Sequence, residues 1–133
     1  MSDRYFTASE VEALLPRLSA IVERAMGAQA AVAAARGRLR SEQRRVELAG
    51  GGVVNRAAWR RDVEAIARAT EATQQGLDEI LQLGGVAKDL EMGLVDFPHL
   101  REGREVNLCW RYGEDRIRFW HGLNEGFAGR KPL

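Results

Sequence analysis

Apolar side chains return every seven residues near the start of the chain: Val11, Leu18, Ala25, Val32, Leu39 and Val46, with Leu14, Ile21, Ala28 and Ala35 at a second position of the same repeat. A seven-residue repeat keeps one stripe of a helix turned toward a partner, so this stretch predicts a long helix with a coiled-coil-like seam. Alanine fills the middle of the seam, which lets a neighbouring helix approach closely, while larger side chains anchor both ends. Thr7 and Glu10 form a T-x-x-E capping box, with Phe6 and Val11 as a flanking hydrophobic staple, so the helix begins just after Thr7. Pro16 removes a backbone donor and crowds the preceding turn, which predicts a bend. The glycines Gly50 to Gly52 end the helix, and Asn55 offers a cap for a second one. Trp59, Val63, Ile66, Thr70, Thr73, Leu77 and Ile80 then fall at helical spacing up to Gly84 and Gly85. Two helices joined by a tight loop pack antiparallel, giving a hairpin over residues 7–83.

The two helices are unequal. At about 1.5 Å per residue the first runs roughly 60 Å and the second about 42 Å, so pairing outward from the loop leaves the first turns of helix one uncovered. Those turns carry Val11, Leu14, Leu15 and Leu18, and the segment after Gly85 is expected to dock there. That segment reads as three strands, Val86 to Asp96, Glu105 to Tyr112 and Arg116 to His121, separated by a loop at 97–103 and a turn at 113–115. Alternation pairs Tyr112 with Ile117, Trp110 with Phe119, Leu108 with His121 and Cys109 with Trp120. A slip of one residue would set Trp110 against Arg118. The same rule pairs Leu94 with Val106, Met92 with Leu108 and Leu90 with Trp110. The predicted inner face is Leu90, Met92, Leu94, Val106, Leu108, Trp110, Ile117 and Phe119. The outer face gathers Asp89, Glu91, Cys109, Arg111, Arg116, Arg118 and Trp120. If Gly93 marks a bulge, Val95 and Phe97 turn inward instead and the register beyond it changes. The architecture is therefore α+β: one domain over residues 1–133, with the hairpin at 7–83 and a β-meander and tail at 85–133 on its open end.

Lys and Arg number 20 against 19 Asp and Glu, a formal charge of +1 that implies no strong electrostatic partner for the chain as a whole. No apolar run approaches the roughly 20 residues that span a bilayer, and no leader pattern is visible at the N-terminus, so a cytoplasmic protein without a membrane partner is expected. The single cysteine, Cys109, suits a reducing compartment and excludes an internal disulfide or a CxxC zinc motif.

These residues resemble a bacterial and archaeal family, domain of unknown function 2203. The resemblance rests on Tyr5-Phe6-Thr7 with Glu10 and Leu14-Leu15-Pro16, and on Gly85-Val86 with Lys88-Asp89-Leu90-Glu91 and Gly93-Leu94-Val95-Asp96-Phe97-Pro98. It continues in Leu108-Cys109-Trp110 with Gly113-Glu114, and in Phe119-Trp120-His121 with Gly126-Phe127-Ala128-Gly129-Arg130. It covers nearly all of the chain, implies a small bacterial protein and carries no activity with it.

Function is sought in the side chains. No GxSxG, P-loop, GxGxxG or HExxH pattern occurs, and no nucleophile with an adjacent base can be assembled. The reading is a binding or assembly module without covalent catalysis, an expected homodimer formed when a second hairpin completes a four-helix bundle. If it is a monomer, the tail from Gly122 to Leu133 is expected to wrap back along the helices. Among the outer-face candidates, Asp89 and Glu91 are expected to pair across the sheet with Arg111 and Cys109, and Cys109 shares its face with Arg111, Arg118 and Trp120 but with no histidine. Arg36, Arg38, Arg40, Arg44 and Arg45 meet Arg56, Arg60 and Arg61 near the hairpin tip. Interleaved Glu42, Glu47, Asp62 and Glu64 favour a solvated helical face, and a weak nucleic-acid binder is the alternative. Trp59 beside them reads as a core anchor. The sharpest alternative is a divalent metal, zinc or iron, or a small-molecule site at the rim where Asp96, His99 and His121 converge and Glu10 approaches. Glu114, at the opposite turn, is excluded from that site.

Overall fold

The structure is a computed structural model that describes residues 2–52 and 54–133. Helix α1 spans Ala8–Leu48 and helix α2 Arg56–Leu83, packed against each other. The capping box forms as the sequence predicts: Glu10 N–H donates to Thr7 Oγ1 at 3.1 Å, and Thr7 N–H donates to Glu10 Oε1 at 2.9 Å. Asn55 Oδ1 likewise accepts from Ala58 N–H and caps α2. Pro16 lies inside α1 without ending it, its missing donor falling on the exposed side. Val11, Leu18 and Ala25 of the seam are buried, as are Ile21 and Ala35, so the stripe faces inward. Among the described residues no helix is long and apolar enough to cross a membrane.

The chain then folds into a five-stranded antiparallel sheet in sequential order: β1 (Val86–Asp89), β2 (Leu94–Arg101), β3 (Arg104–Arg111), β4 (Phe119–His121) and β5 (Lys131–Pro132). Its inner face closes over the start of α1. Val95, Phe97, Leu108, Trp110 and Ile117 pack against Phe6, Val11, Leu15, Leu18 and Val22, the turns that the shorter α2 leaves bare. The docking expected from the helix lengths is therefore what the fold does.

The register differs from the alternation-based expectation at two places. The stretch read as one strand, Val86 to Asp96, is a hairpin that turns at residues 90–93, where Gly93 takes φ +73° and Asp89 Oδ1 accepts from the backbone N–H groups of Glu91 and Met92. Asp89 therefore caps a turn instead of pairing with Arg111, and Glu91 is exposed beside it. The residues read as the 97–103 loop extend β2, so Leu94 pairs with Arg111 rather than Val106, and Asp96 pairs with Cys109. Val95 and Phe97 turn inward, the consequence attached above to a break at Gly93. At the other edge β3 and β4 take the one-residue slip that alternation disfavoured: Cys109 pairs with Phe119, Leu108 with Trp120 and Asn107 with His121. Leu94 and Phe119 thus move to the outer face, and Trp120 moves to the inner one, between Arg101 and Lys131, each 4.8 Å from its ring. The slip is tolerated because the outer face is not left to solvent.

The cover is the tail. Residues 122–130 cross the outer face, make a 3-10 turn at Phe127–Gly129 and add β5 beside β4. The tail lies on the sheet, not back along the helices. Gly84 closes α2 with φ +104°, and a Cβ there would be pressed into the ring of Phe6, which itself stands edge-on to Phe97 at 5.2 Å. Gly84→Ala combines left-handed backbone strain with overpacking and is expected to cost about 2–5 kcal/mol, measured as a fall in the urea midpoint.

Candidate metal centre

The slipped register brings three chemically able side chains onto one face. Asp96 on β2 is the direct partner of Cys109 on β3, and His121 on β4 lies diagonally from Cys109, opposite Asn107. Residues two apart on a strand share a face, so Phe119 and His121 point the way Cys109 points. Asp96, Cys109 and His121 are 3, 2 and 3% exposed, buried under the tail. Their donor atoms all lie within 4.8 Å of one another, a group that could hold a metal ion.

The hydrogen bonds around the cluster set its chemistry. His121 Nδ1 lies 2.8 Å from the carbonyl oxygen of Gly122. A carbonyl only accepts, so Nδ1 carries the proton, and in the neutral imidazole Nε2 is left with its lone pair. That nitrogen lies 3.0 Å from Asp96 Oδ2. Besides this contact, an ion pair when the ring is protonated, and the Cys109 thiol that hydrogen-bonds it, the Asp96 carboxylate has no hydrogen-bond donor among the described residues. Burial, then the charge of Asp96, pushes the Cys109 thiol up to about 11, against a smaller downward pull from Arg130. At neutral pH the thiol therefore holds its proton.

A second layer fixes these groups. Arg130 donates to the carbonyl of Cys109 at 3.0 Å and to Glu114 Oε1 at 2.7 Å, with its guanidinium 4.1 Å from the centre of the Phe119 ring and 4.8 Å from that of Phe127. Glu114 Oε1 also accepts from Arg111 N–H, and the Glu114 carbonyl accepts from Trp110 Nε1 at 2.9 Å. Glu114 thus supports the cluster from outside it and is not one of the side chains that could hold an ion. The cluster centres on Cys109 near the 113–115 turn, not at the far edge by Val106. A cavity of about 140 Å³ opens beside the three side chains, lined in part by Lys88, Asn107, Leu123 and Phe127.

Of the four residues expected to converge, the structure brings together Asp96 and His121 and leaves out the other two. His99 is on the inner face, where its Nδ1 lies 2.6 Å from the carbonyl oxygen of Phe6. Glu10 is held in the capping box and pairs with the exposed Arg4 at 3.2 Å. Two histidines on opposite faces of one sheet cannot meet: the extension of β2 to Arg101 fixes His99 on the inner face, whereas the loop expected at 97–103 could reach the rim. The residue that sequence reasoning missed as a neighbour of His121 is Cys109. The turn chemistry of Asp89 and Gly93 was the signal that would have set Asp96 opposite Cys109; the β3–β4 slip that brings His121 beside them has no such local signal. Arg111 and Arg118 of the outer-face set are exposed and lie outside the cluster.

A helical hairpin closed by a five-stranded antiparallel meander, with a buried aspartate, cysteine and histidine under the tail, defines the class: an α+β protein whose sheet module holds, among the described residues, a concentrated set of side chains able to ligate. The chain belongs to the family described as uncharacterized conserved protein (DUF2203), whose model matches residues 4–133. No curated protein and no solved structure matches it.

Proposed function

We propose that the protein binds one divalent transition-metal ion, zinc foremost, through Asp96 carboxylate, Cys109 Sγ and His121 Nε2. The observation that carries this reading is the buried cluster itself: the Asp96 carboxylate, an imidazole nitrogen and a thiol lie within 4.8 Å of one another, and no other donor among the described residues reaches the carboxylate. A buried carboxylate is costly unless positive charge meets it, and a cation between the three groups supplies that charge. Thiolate and carboxylate together neutralise a doubly charged ion, and the Gly122 carbonyl orients the imidazole as outer partners of metal-bound histidines do.

Zinc is favoured over iron by the ligand set. Two histidines and a carboxylate are the set for non-haem iron, and His99 is on the wrong face for it. Cysteine in its place supplies the softer donor that zinc takes. Tetrahedral bonds of about 2.0–2.3 Å put neighbouring ligand atoms about 3.5 Å apart, so the group closes by up to about an ångström on the ion. Three protein ligands leave one position for water or a small ligand, the pattern of reactive zinc sites, and the adjacent cavity has room for it.

Titration of untagged apoprotein with zinc, with the bound ion counted by elemental analysis, tests the reading. One ion per chain is expected. Cys109→Ser, Asp96→Asn and His121→Ala each lower affinity by a factor on the order of 100 or more, since loss of a direct ligand exceeds loss of an outer partner. His99→Ala and Glu10→Gln leave it unchanged. Unaltered stoichiometry and affinity in both Cys109→Ser and His121→Ala would eliminate the site. The raised thiol fixes a pH dependence as well. Metal must displace a proton held with a pKa of about 11, so below that value affinity rises about tenfold per pH unit from this group alone, and one proton appears in solution on binding.

A further inference from the structure

Two of the four acids interleaved with the arginines near the hairpin tip, Glu42 and Asp62, are taken up by ion pairs, while Glu47 and Glu64 stand beside Arg40 and Arg60. Arg38 is paired with Asp62 at 2.9 Å and Arg45 with Glu42 at 2.6 Å, while Arg24 and Glu79 pair at 3.3 Å nearer the sheet. The pairs Arg24–Glu79 and Arg38–Asp62 bridge α1 and α2 along one flank. On the other flank, Arg36, Arg40, Arg44, Arg56 and Arg60 are all exposed, and none of them makes an ion pair or hydrogen bond among the described residues.

Helical geometry fixes where they point. At about 100° per residue, Arg40 and Arg44 stand five turns beyond Val22 and Met26, at the same angular positions on α1. Val22 and Met26 pack into the core beneath the sheet, so the stripe the sheet covers continues past its edge as an uncovered basic stripe. The same rotation sets Arg56 and Arg60 on the matching side of α2, where they line a groove with Trp59, Gly52 and Val54. Residues 36–68 hold nine arginines against four acids, a local charge of +5 set against −4 for the rest of the chain.

We infer that this flank binds single-stranded nucleic acid, with phosphates on Arg36, Arg40, Arg44, Arg56 and Arg60 and a base against Trp59. Two facts select this partner over an acidic protein. Steps of four residues set the α1 arginines about 6 Å apart in a line suited to successive phosphates, and the guanidinium fork matches a phosphate's oxygens. An indole lies in the groove with Arg56 and Arg60, where single-strand binders place an aromatic platform. The inference stands apart from the metal site, which lies in the sheet.

Fluorescence anisotropy of a labelled oligothymidylate over a salt series tests it. Five phosphate contacts on a single strand predict a log–log salt slope of about −3.5. Replacing three arginines (R36Q, R40Q and R44Q together) should bring the slope to about −1.4. These side chains are exposed, so the variant folds, which circular dichroism verifies. Trp59→Ala should keep the slope and weaken binding about tenfold, as loss of one stacked base does. An unchanged slope in the triple variant overturns the inference, as does failure of the wild type to bind. Competition by polyglutamate as strong as that by unlabelled oligonucleotide overturns it in favour of an acidic protein partner.

Discussion

Zinc supplied at a thousand times its dissociation constant is expected to raise the melting temperature of the apoprotein by about 15 °C. Binding to the folded state alone at that excess adds about 4 kcal/mol, and a domain of this size gains roughly 4 °C per kcal/mol. The ligands come from three different strands, Asp96 on β2, Cys109 on β3 and His121 on β4, so the site vanishes when the sheet separates. Calorimetry with zinc, then with added chelator, reads the shift and its reversal. At the same zinc concentration, a hundredfold loss of affinity in Cys109→Ser should cut the increment to about 6 °C or less. A bound ion that moves the midpoint by only a degree or two would mean that it sits where the fold does not need it, away from these strands.

The largest loss of stability is expected from Trp110→Ala. Trp110 is the largest fully buried side chain and sits in the cluster that joins the sheet to α1. Truncation of such a residue costs about 3–5 kcal/mol, a large part of the 5–15 kcal/mol that holds a typical domain together. Its Nε1 also donates to the Glu114 carbonyl, and the Glu114 side chain holds Arg130 over the cluster. Trp110→Phe keeps most of the packing and removes that bond, so it should cost about 1–2 kcal/mol. Urea denaturation followed by circular dichroism separates the two, with the midpoint falling and the slope of the transition unchanged. Equal stabilities for the two variants would show that the bond to Glu114 outweighs the packing of the indole.

The helices and their junction with the sheet were legible because their signals are local and redundant. The heptad spacing, the Thr7–Glu10 box, the Asn55 cap and the glycine stops agree with one another, and unequal helix lengths alone point to where the sheet docks. The candidate site was legible only in part, because it depends on register. Alternation is a two-state pattern in which a shift by an odd number of residues exchanges faces. Here both shifts are odd, and both were misread for one reason: the outer face was taken as solvated. The tail buries it, so Leu94 and Phe119 on that face are as well placed as Val95 and Trp120 on the other, and apolar content no longer tells the faces apart. Asp96 and His121 were named as candidates because the expected pairings of Leu94 with Val106 and Leu108 with His121 bring them to one edge of the sheet; they do meet, but through other pairings. Cys109 was placed on the correct face, but its neighbour His121 was assigned to the opposite one. At the tip, acids and arginines mixed in the sequence read as a balanced surface. Only the packing of α1 on α2 shows that Glu42 and Asp62 are paired away from Arg36, Arg40, Arg44, Arg56 and Arg60, which leaves that flank with an excess of arginine over Glu47 and Glu64.

Each strand of the sheet pairs with its neighbour in the chain, and the two helices are joined directly by residues 49–55, so most of the pairing closes short loops. Short loops cost little entropy and close quickly, and topologies of this kind fold fast for their size. The exception is the seam between the chain's beginning and the sheet, where Phe6 N–H donates to Pro98 O at 2.7 Å and Ser2 and Tyr5 reach Glu105 across about a hundred residues. Hairpin and meander can each form before that seam closes. It is accordingly the joint that forms last and opens first, and the lifetime of the native state is set there: substitutions at Phe6 or Phe97 should act mainly on the unfolding rate, leaving the folding rate to the two halves.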